Sequence, residues 1–235
     1  RAVEFNQLVY YPHEYPFGRM LSYVLNKYQS TTVRVGFQMG MASLRRTEQF
    51  LAVDEASQHG DYLNHVPIPD KVLAEDEESK RIYLLSGYND VESMERIYRY
   101  EYLKPISAKR CTNWVLIAPS LHDGEFLLHA LKSYIRQSGQ TNFVLKPHPR
   151  ADNSYVKEFK YIENLQLSYQ SIDQLLEFVS EVFVTYSTVA VEAAIVGVPV
   201  TIINIPGKIT TSPLLDKRSS IVKIVDKLEG AYYAQ

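Results

Sequence analysis

Short runs of β-branched and aromatic residues alternate with longer stretches whose apolar residues recur every three or four positions. The first pattern reads as buried strand and the second as amphipathic helix. Residues 7–11 predict a strand that stops at Pro12, with His13 and Glu14 at its carboxyl end. Phe17, Met20, Leu21, Val24, Leu25 and Tyr28 have helical spacing, and 32–37 is a second strand, so the chain opens on a βαβ unit. A short helix is expected over 45–53. The segment His65-Val-Pro-Ile-Pro-Asp70 is extended, because two prolines exclude a helix. A helix over 76–85 is closed by Gly87, and 92–103 fits helix or strand equally. Polar residues 105–113 break the pattern and divide the chain into halves, 1–105 and 106–235.

The second half alternates more cleanly. Strands are predicted at 114–118, 142–145, 165–168, 182–185, 200–203 and 221–225, and helices at 125–137, 154–161 and 172–179, with another starting near Lys227. The helix over 125–137 has Phe126, Leu127, Ala130, Leu131, Tyr134 and Ile135 as its apolar stripe. After strand 182–185 a helix opens on Ser187 or Thr188 and ends at Gly197. Such alternation implies an α/β fold with a doubly wound parallel sheet. Ligands of these sheets sit beyond the carboxyl ends of the strands. Here those ends carry Ser120 to Gly124, Lys146 to Arg150, Tyr186 to Thr188 and Asn204 to Lys208.

Composition narrows the picture. A net charge of −2 over 235 residues gives no electrostatic case for nucleic acid. The lone cysteine, Cys111, forbids an internal disulfide, so a reducing compartment is expected: the cytoplasm, or the inner face of its membrane. No apolar run is long enough to span a bilayer, and no amphipathic basic helix demands membrane contact. The 18 tyrosines suit a half-buried cleft or an interface. The first strand follows Arg1 almost at once, which suggests a fragment with its amino-terminal part missing. Neither G-x-G-x-x-G nor a Walker motif is present, which disfavours a dinucleotide dehydrogenase or a P-loop enzyme.

Four groups carry candidate chemistry. Ser187 and Thr188 either cap a helix or present its amino end to a phosphate. In Lys146-Pro-His-Pro-Arg150 two prolines fix the backbone path, giving His148 a defined direction between two cations suited to an anion; Lys146 could equally be a solvated cation. Glu192 is either a solvated helix residue or a carboxylate for ribose hydroxyls. Asp123, beside Gly124, either caps the helix that follows or acts on substrate.

Lys146-Pro-His-Pro149 followed by Ser187-Thr-Val-Ala-Val-Glu-Ala-Ala-Ile-Val-Gly-Val-Pro199 resembles the nucleotide-binding half of GT-B glycosyltransferases that build bacterial surface polysaccharides. It is most similar to those using CMP-activated acidic sugars: sialyltransferases, polysialyltransferases and Kdo transferases. Glu14, Gly36-Phe-Gln-Met-Gly40, Pro67-Ile-Pro-Asp70 and Arg99-Tyr-Glu-Tyr-Leu103 resemble segments of surface-carbohydrate biosynthesis proteins, although Met39 replaces the histidine usual in that loop. The resemblance implies a GT-B-like fold, two Rossmann-like halves with parallel sheets facing a cleft, the N-terminal half incomplete. It further implies transfer of a sialic-acid- or Kdo-like sugar from a CMP donor to a glycan or glycolipid acceptor, with no cofactor and no metal, and with peripheral membrane association open. Lys146, His148, Arg150, Ser187, Thr188, Glu192, Ser120 and Gly124 are then donor contacts. Glu14 is the first candidate for base or nucleophile and Asp123 the second. The alternatives are a CDP-glycerol- or ribitol-type phosphotransferase, which shares the layout, a non-catalytic nucleotide-sugar-binding module and, more weakly, a sugar-nucleotide epimerase.

Overall fold

The structure, a computed structural model, describes residues 5–12, 16–29, 31–38, 40–46, 49–52, 55–57, 66–95, 98–106, 113–216 and 219–226. The chain forms two compact units, Arg1–Tyr98 and Arg99–Gln235. The sequence pattern puts the division at 105/106, so residues 99–105 go with the second unit.

The first unit holds β1 (Gln7–Tyr10), α1 (Pro16–Tyr28), β2 (Val33–Phe37), a two-residue pair β3 (Ala56–Ser57) and β4 (Val66–Pro67), then β5 (Lys71–Ala74), α2 (Glu77–Leu85) and β6 (Val91–Ser93). Its sheet runs β1-β2-β5-β6, every pairing parallel. The apolar pattern does not announce β5, yet it lies inside the sheet. Val72 and Ala74 are buried there with Ile68, Ile82, Tyr83 and Val91. Asp76 caps α2 by accepting from the Ser79 N–H at 2.7 Å, and Gly87 ends that stretch at φ +94°, a conformation that favours glycine. The described residues of 45–53 form no α-helix.

Most of the stripe predicted for α1 faces outward, although its Leu25 is buried and its Leu21 half-buried. Gly18, Ser22 and Leu25 are buried, while Phe17, Met20, Val24 and Tyr28 are exposed. A buried cation explains the inversion. Arg34, 2% exposed on β2, donates to the Ser22 carbonyl at 3.2 Å and grips Asp70 through Nε at 3.0 Å and through Nη2. The face of α1 over β2 must therefore be small and polar. Asp70 also accepts from the Arg34 N–H at 2.8 Å, so the aspartate of the Pro-Ile-Pro-Asp segment ties strands together.

The second unit holds β7 (Trp114–Ile117), α3 (Gly124–Gln137), β8 (Asn142–Leu145), β9 (Leu165–Leu167), α4 (Ile172–Leu176), β10 (Glu181–Val184), α5 (Val189–Ile195), β11 (Val200–Ile203) and β12 (Val222–Val225). Short stretches of 3-10 helix cover Tyr98–Leu103, Ser154–Glu158 and Pro213–Leu215. The helix expected over 154–161 is thus a shorter 3-10 turn, and the start near Lys227 lies outside the described residues. The sheet order is β12-β11-β10-β7-β8-β9, all parallel. Numbered within the unit, this is the doubly wound order 3-2-1-4-5-6, with its switch point between β7 and β10. Leu127, Leu128, Leu131 and Ile135 of α3 are sealed against Phe143, Leu145 and Phe183 of the sheet. The buried stripe is turned from the expected one: Leu128 is inside, and Phe126 and Ala130 are exposed. Gly197, at φ +74°, closes α5 in a Schellman motif, with Val198 N–H to Ala193 O at 2.8 Å and Gly197 N–H to Ala194 O at 3.2 Å.

Candidate functional site

The switch point opens between the exits of β7 and β10. The β7 exit is buried and polar. Ser120 and Asp123 are 6% and 5% exposed, and the Ser120 N–H donates to Asp123 Oδ1 at 2.6 Å. Asp123 stands at the N-cap position of α3, but its side chain makes no capping bond to the helix. Its other oxygen, Oδ2, is shielded from solvent and has no hydrogen-bond partner. Burial pushes the Asp123 carboxyl up to about 6, against the Ser120 N–H and the nearby His122, which pull it down. Gly124 follows because nothing larger fits: a Cβ there would lie 2.1 Å from the Tyr155 hydroxyl oxygen.

The β8 exit is the Lys146-to-Arg150 loop. His148 Nδ1 accepts the Arg150 N–H at 3.2 Å, so the neutral ring carries its proton on Nε2. The His148 carbonyl accepts the Ala151 N–H at 3.1 Å and Asn153 Nδ2 at 3.3 Å, which locks the loop. Burial lowers the His148 pKa first, and the charges of Arg150, His122 and Lys146 lower it further. Arg150, His122 and Lys146 are therefore each close enough to act on His148, although they come from two strand exits.

The β10 exit supplies Thr185, Tyr186, Ser187 and Thr188. Ser187 is buried and its Oγ accepts the Val189 N–H at 3.4 Å; Thr188 occupies the N-cap position, exposed and without a side-chain cap. As expected, α5 opens on Thr188 and is stopped by Gly197; with seven residues it has a small dipole. One turn on, Glu192 is not solvated. Burial raises its carboxyl, the Tyr102 hydroxyl donates to it, Arg99 and Lys146 lower its pKa, and Asp173 raises it. Its Oε2 is buried without a partner. The structure thus links Glu192 to Lys146, Lys146 to His148, and His148 to His122, in one unit.

Glu14 and Met39 lie outside the described residues. In the loop that contains Met39, Gln38 is buried; it accepts the Glu75 N–H at 2.8 Å and donates to the Gly40 carbonyl at 2.7 Å. A Cβ on Gly36 would meet Pro12 at 2.8 Å. These motif residues therefore have packing reasons of their own. Sequence reasoning missed Thr185, Tyr102 and Tyr155. Thr185 alone carried a signal, as a polar residue ending an apolar strand. Among the described residues, no group of three His, Cys, Asp or Glu side chains could hold a metal ion, and no helix is long and apolar enough to cross a membrane.

No protein-family model matches the chain, and no curated protein matches it in sequence. Solved structures do resemble it. Anabaena HepE in complex with UDP-glucose is 14% identical with a TM-score of 0.57, over 97% of this chain and 67% of HepE. A Listeria monocytogenes protein provisionally described as a UDP-N-acetylglucosamine 2-epimerase is 12% identical with a TM-score of 0.57, over 94% of this chain and 61% of its own. A Staphylococcus aureus TarM variant in complex with fondaparinux, α-GlcNAc-glycerol and UDP is 12% identical with a TM-score of 0.51, over 90% of this chain and 44% of its own. At such identities the likeness establishes the fold: two parallel-sheet α/β units of the GT-B type.

Proposed function

We propose that the chain acts as a GT-B glycosyltransferase and that its second unit holds the nucleotide-sugar donor. The observation that carries this is the convergence of His122, Lys146, His148 and Arg150 from two strand exits beside the switch point, where doubly wound sheets take their ligands. Three cationic or donor-bearing side chains around a neutral imidazole suit a phosphate. The His148 Nε2–H and Ser187 hydroxyl supply hydrogen bonds, and Lys146 and Arg150 offset the charge that develops as the nucleotide leaves. The first turn of α3 adds N–H groups that no side chain caps. Glu192, with an unpartnered oxygen, takes the ribose hydroxyls. The groups named here act without a metal.

Asp123 is the carboxylate best suited to receive the acceptor proton. Above its pKa of about 6 it is ionised, with one oxygen held by Ser120 and the other unengaged. The donor favoured by the sequence motifs is a CMP-linked acidic sugar, passed to a surface glycan or glycolipid at the inner face of the membrane.

Calorimetry with CMP, CDP, UDP and GDP, with and without divalent metal, tests the reading. CMP is expected to bind best without metal, and to lose at least tenfold in affinity in His148→Ala and in Ser187→Ala. A preference for UDP moves the donor to an ordinary hexose, and one for CDP moves the reaction to phosphodiester transfer. No binding at all refutes the site.

A further inference from the structure

A cavity of about 270 Å³ lies on the β11 side of the switch point. It is lined from the β7 exit by His122 and Asp123, from α3 by Phe126, from the β10 exit by Thr185 and Tyr186, from the end of β11 by Ile203, and beyond it by Ile205 and residues 208–211. Two of its side chains are more than nine-tenths buried and unsatisfied: Asp123 lacks a partner at Oδ2 and Thr185 at Oγ1. Buried polar groups without partners are rare, and each calls for an explanation. Thr210 donates to the Thr185 carbonyl at 3.1 Å, so it braces the wall without satisfying that hydroxyl.

The rest of the wall is apolar at Phe126, Ile203, Ile205 and Ile209, with His122, Tyr186, Lys208, Thr210 and Thr211 among them. Ile209 is 80% exposed and Phe126 is 43% exposed, with the Lys208 ammonium 4.0 Å from the Phe126 ring centroid. The volume falls just short of the roughly 300–1,000 Å³ of sites for drug-sized ligands, so the cavity takes one ring rather than a whole nucleotide sugar. Its place along the site says which ring. Glu192 on α5 feels Lys146, His148 feels Lys146 and His122, and His122 also lines the cavity. Ribose, phosphate and sugar follow one another in that order.

We propose that this cavity seats the donor sugar and selects one bearing an N-acyl group, its methyl end against Phe126, Ile205 and Ile209 and its hydroxyl or amide hydrogens shared with Asp123 and Thr185. This rests on the nucleotide-sugar reading above and narrows it: an N-acetylated sugar fits and a sugar with hydroxyls alone does not. Against Phe126, Ile205 and Ile209 a plain hexose would set a hydroxyl without a partner, whereas an acetamido group offers them a methyl.

The test is calorimetry on the full chain with CMP, UDP, CMP-N-acetylneuraminic acid, UDP-N-acetylglucosamine and UDP-glucose, paired with saturation-transfer NMR. For the nucleotide that binds, the N-acetylated sugar form is expected at least tenfold tighter than the bare nucleotide, and UDP-glucose to gain less than threefold over UDP. The acetyl methyl is expected to carry the strongest saturation of the sugar protons. Ile209→Asn alters an exposed side chain, so folding is unaffected; it is expected to cut the acetyl-dependent gain at least threefold and leave bare-nucleotide affinity unchanged. A bare nucleotide that binds with no gain from the acetylated sugar, or with an equal gain from UDP-glucose, overturns the inference and leaves the nucleotide site standing. So does a gain undiminished in Ile209→Asn. If no nucleotide binds, both readings fall.

Discussion

Asp123 combines deep burial, one hydrogen bond and an elevated pKa in one carboxyl group. Its oxygen toward Ser120 is satisfied, yet burial still makes the ionised form costly, so the folded-state pKa rises to about 6 from 3.8. Between those values the folded protein holds a proton that the unfolded chain releases. Stability therefore falls as pH rises through about 4 to 6, by at most about 3 kcal/mol, and is level above. Asp123→Asn keeps an oxygen for the Ser120 N–H and removes the charge. The variant is expected to match the wild type near pH 4 and to exceed it by about 1–2 kcal/mol at pH 8, offset in part by its unpaired amide hydrogens. Urea unfolding across that range measures the difference; a variant less stable than the wild type at pH 8 would mean that something satisfies the charge. If Asp123 also takes the acceptor proton, the same change lowers transfer about 100-fold or more without altering nucleotide affinity.

At the scale of elements, strands and stops were more legible than faces. β8 and β11 fall within the predicted bounds because short β-branched runs between turns have few other readings. Gly87 and Gly197 end their segments at positive φ as their positions suggested. The face of α1 was largely misread and that of α3 was misplaced only at its edge, since spacing alone does not say which of two overlapping stripes meets the sheet. In α1 the buried Arg34 decides, and in α3 the sheet takes Leu128 in place of Phe126. Of the site, the histidine loop and Ser187 were visible as motifs, whereas Thr185 and Tyr102 matter only through tertiary neighbours. Gly124 shows such a neighbour at work. Alanine is the better helix former by about 1 kcal/mol, but here its Cβ would strike the Tyr155 hydroxyl at 2.1 Å. Tyr155 also packs on the core with Phe159, so it can yield only by disturbing the 3-10 turn over Ser154–Glu158. Gly124→Ala is expected to cost a net 1–3 kcal/mol in urea unfolding, and Tyr155→Leu in the same background to recover part of it.

The whole molecule divides its labour. Each unit has its own parallel sheet and its own buried cluster. Every described residue assigned above to the nucleotide, from Arg99 and Tyr102 beside Glu192 to the loop around His148, belongs to the second unit. A unit of 137 residues is within the range in which a single domain buries enough apolar surface to fold alone. The fragment 99–235 is therefore expected to unfold cooperatively in urea and to bind the preferred nucleotide within about threefold of the full chain. Loss of transfer to an acceptor in this fragment is the outcome expected if the first unit supplies the acceptor side. The first unit alone, 1–98, is expected to bind no nucleotide. Affinity that collapses in a folded 99–235 fragment would place part of the donor site in the first unit, and Glu14, at the exit of β1, would then be the next residue to substitute.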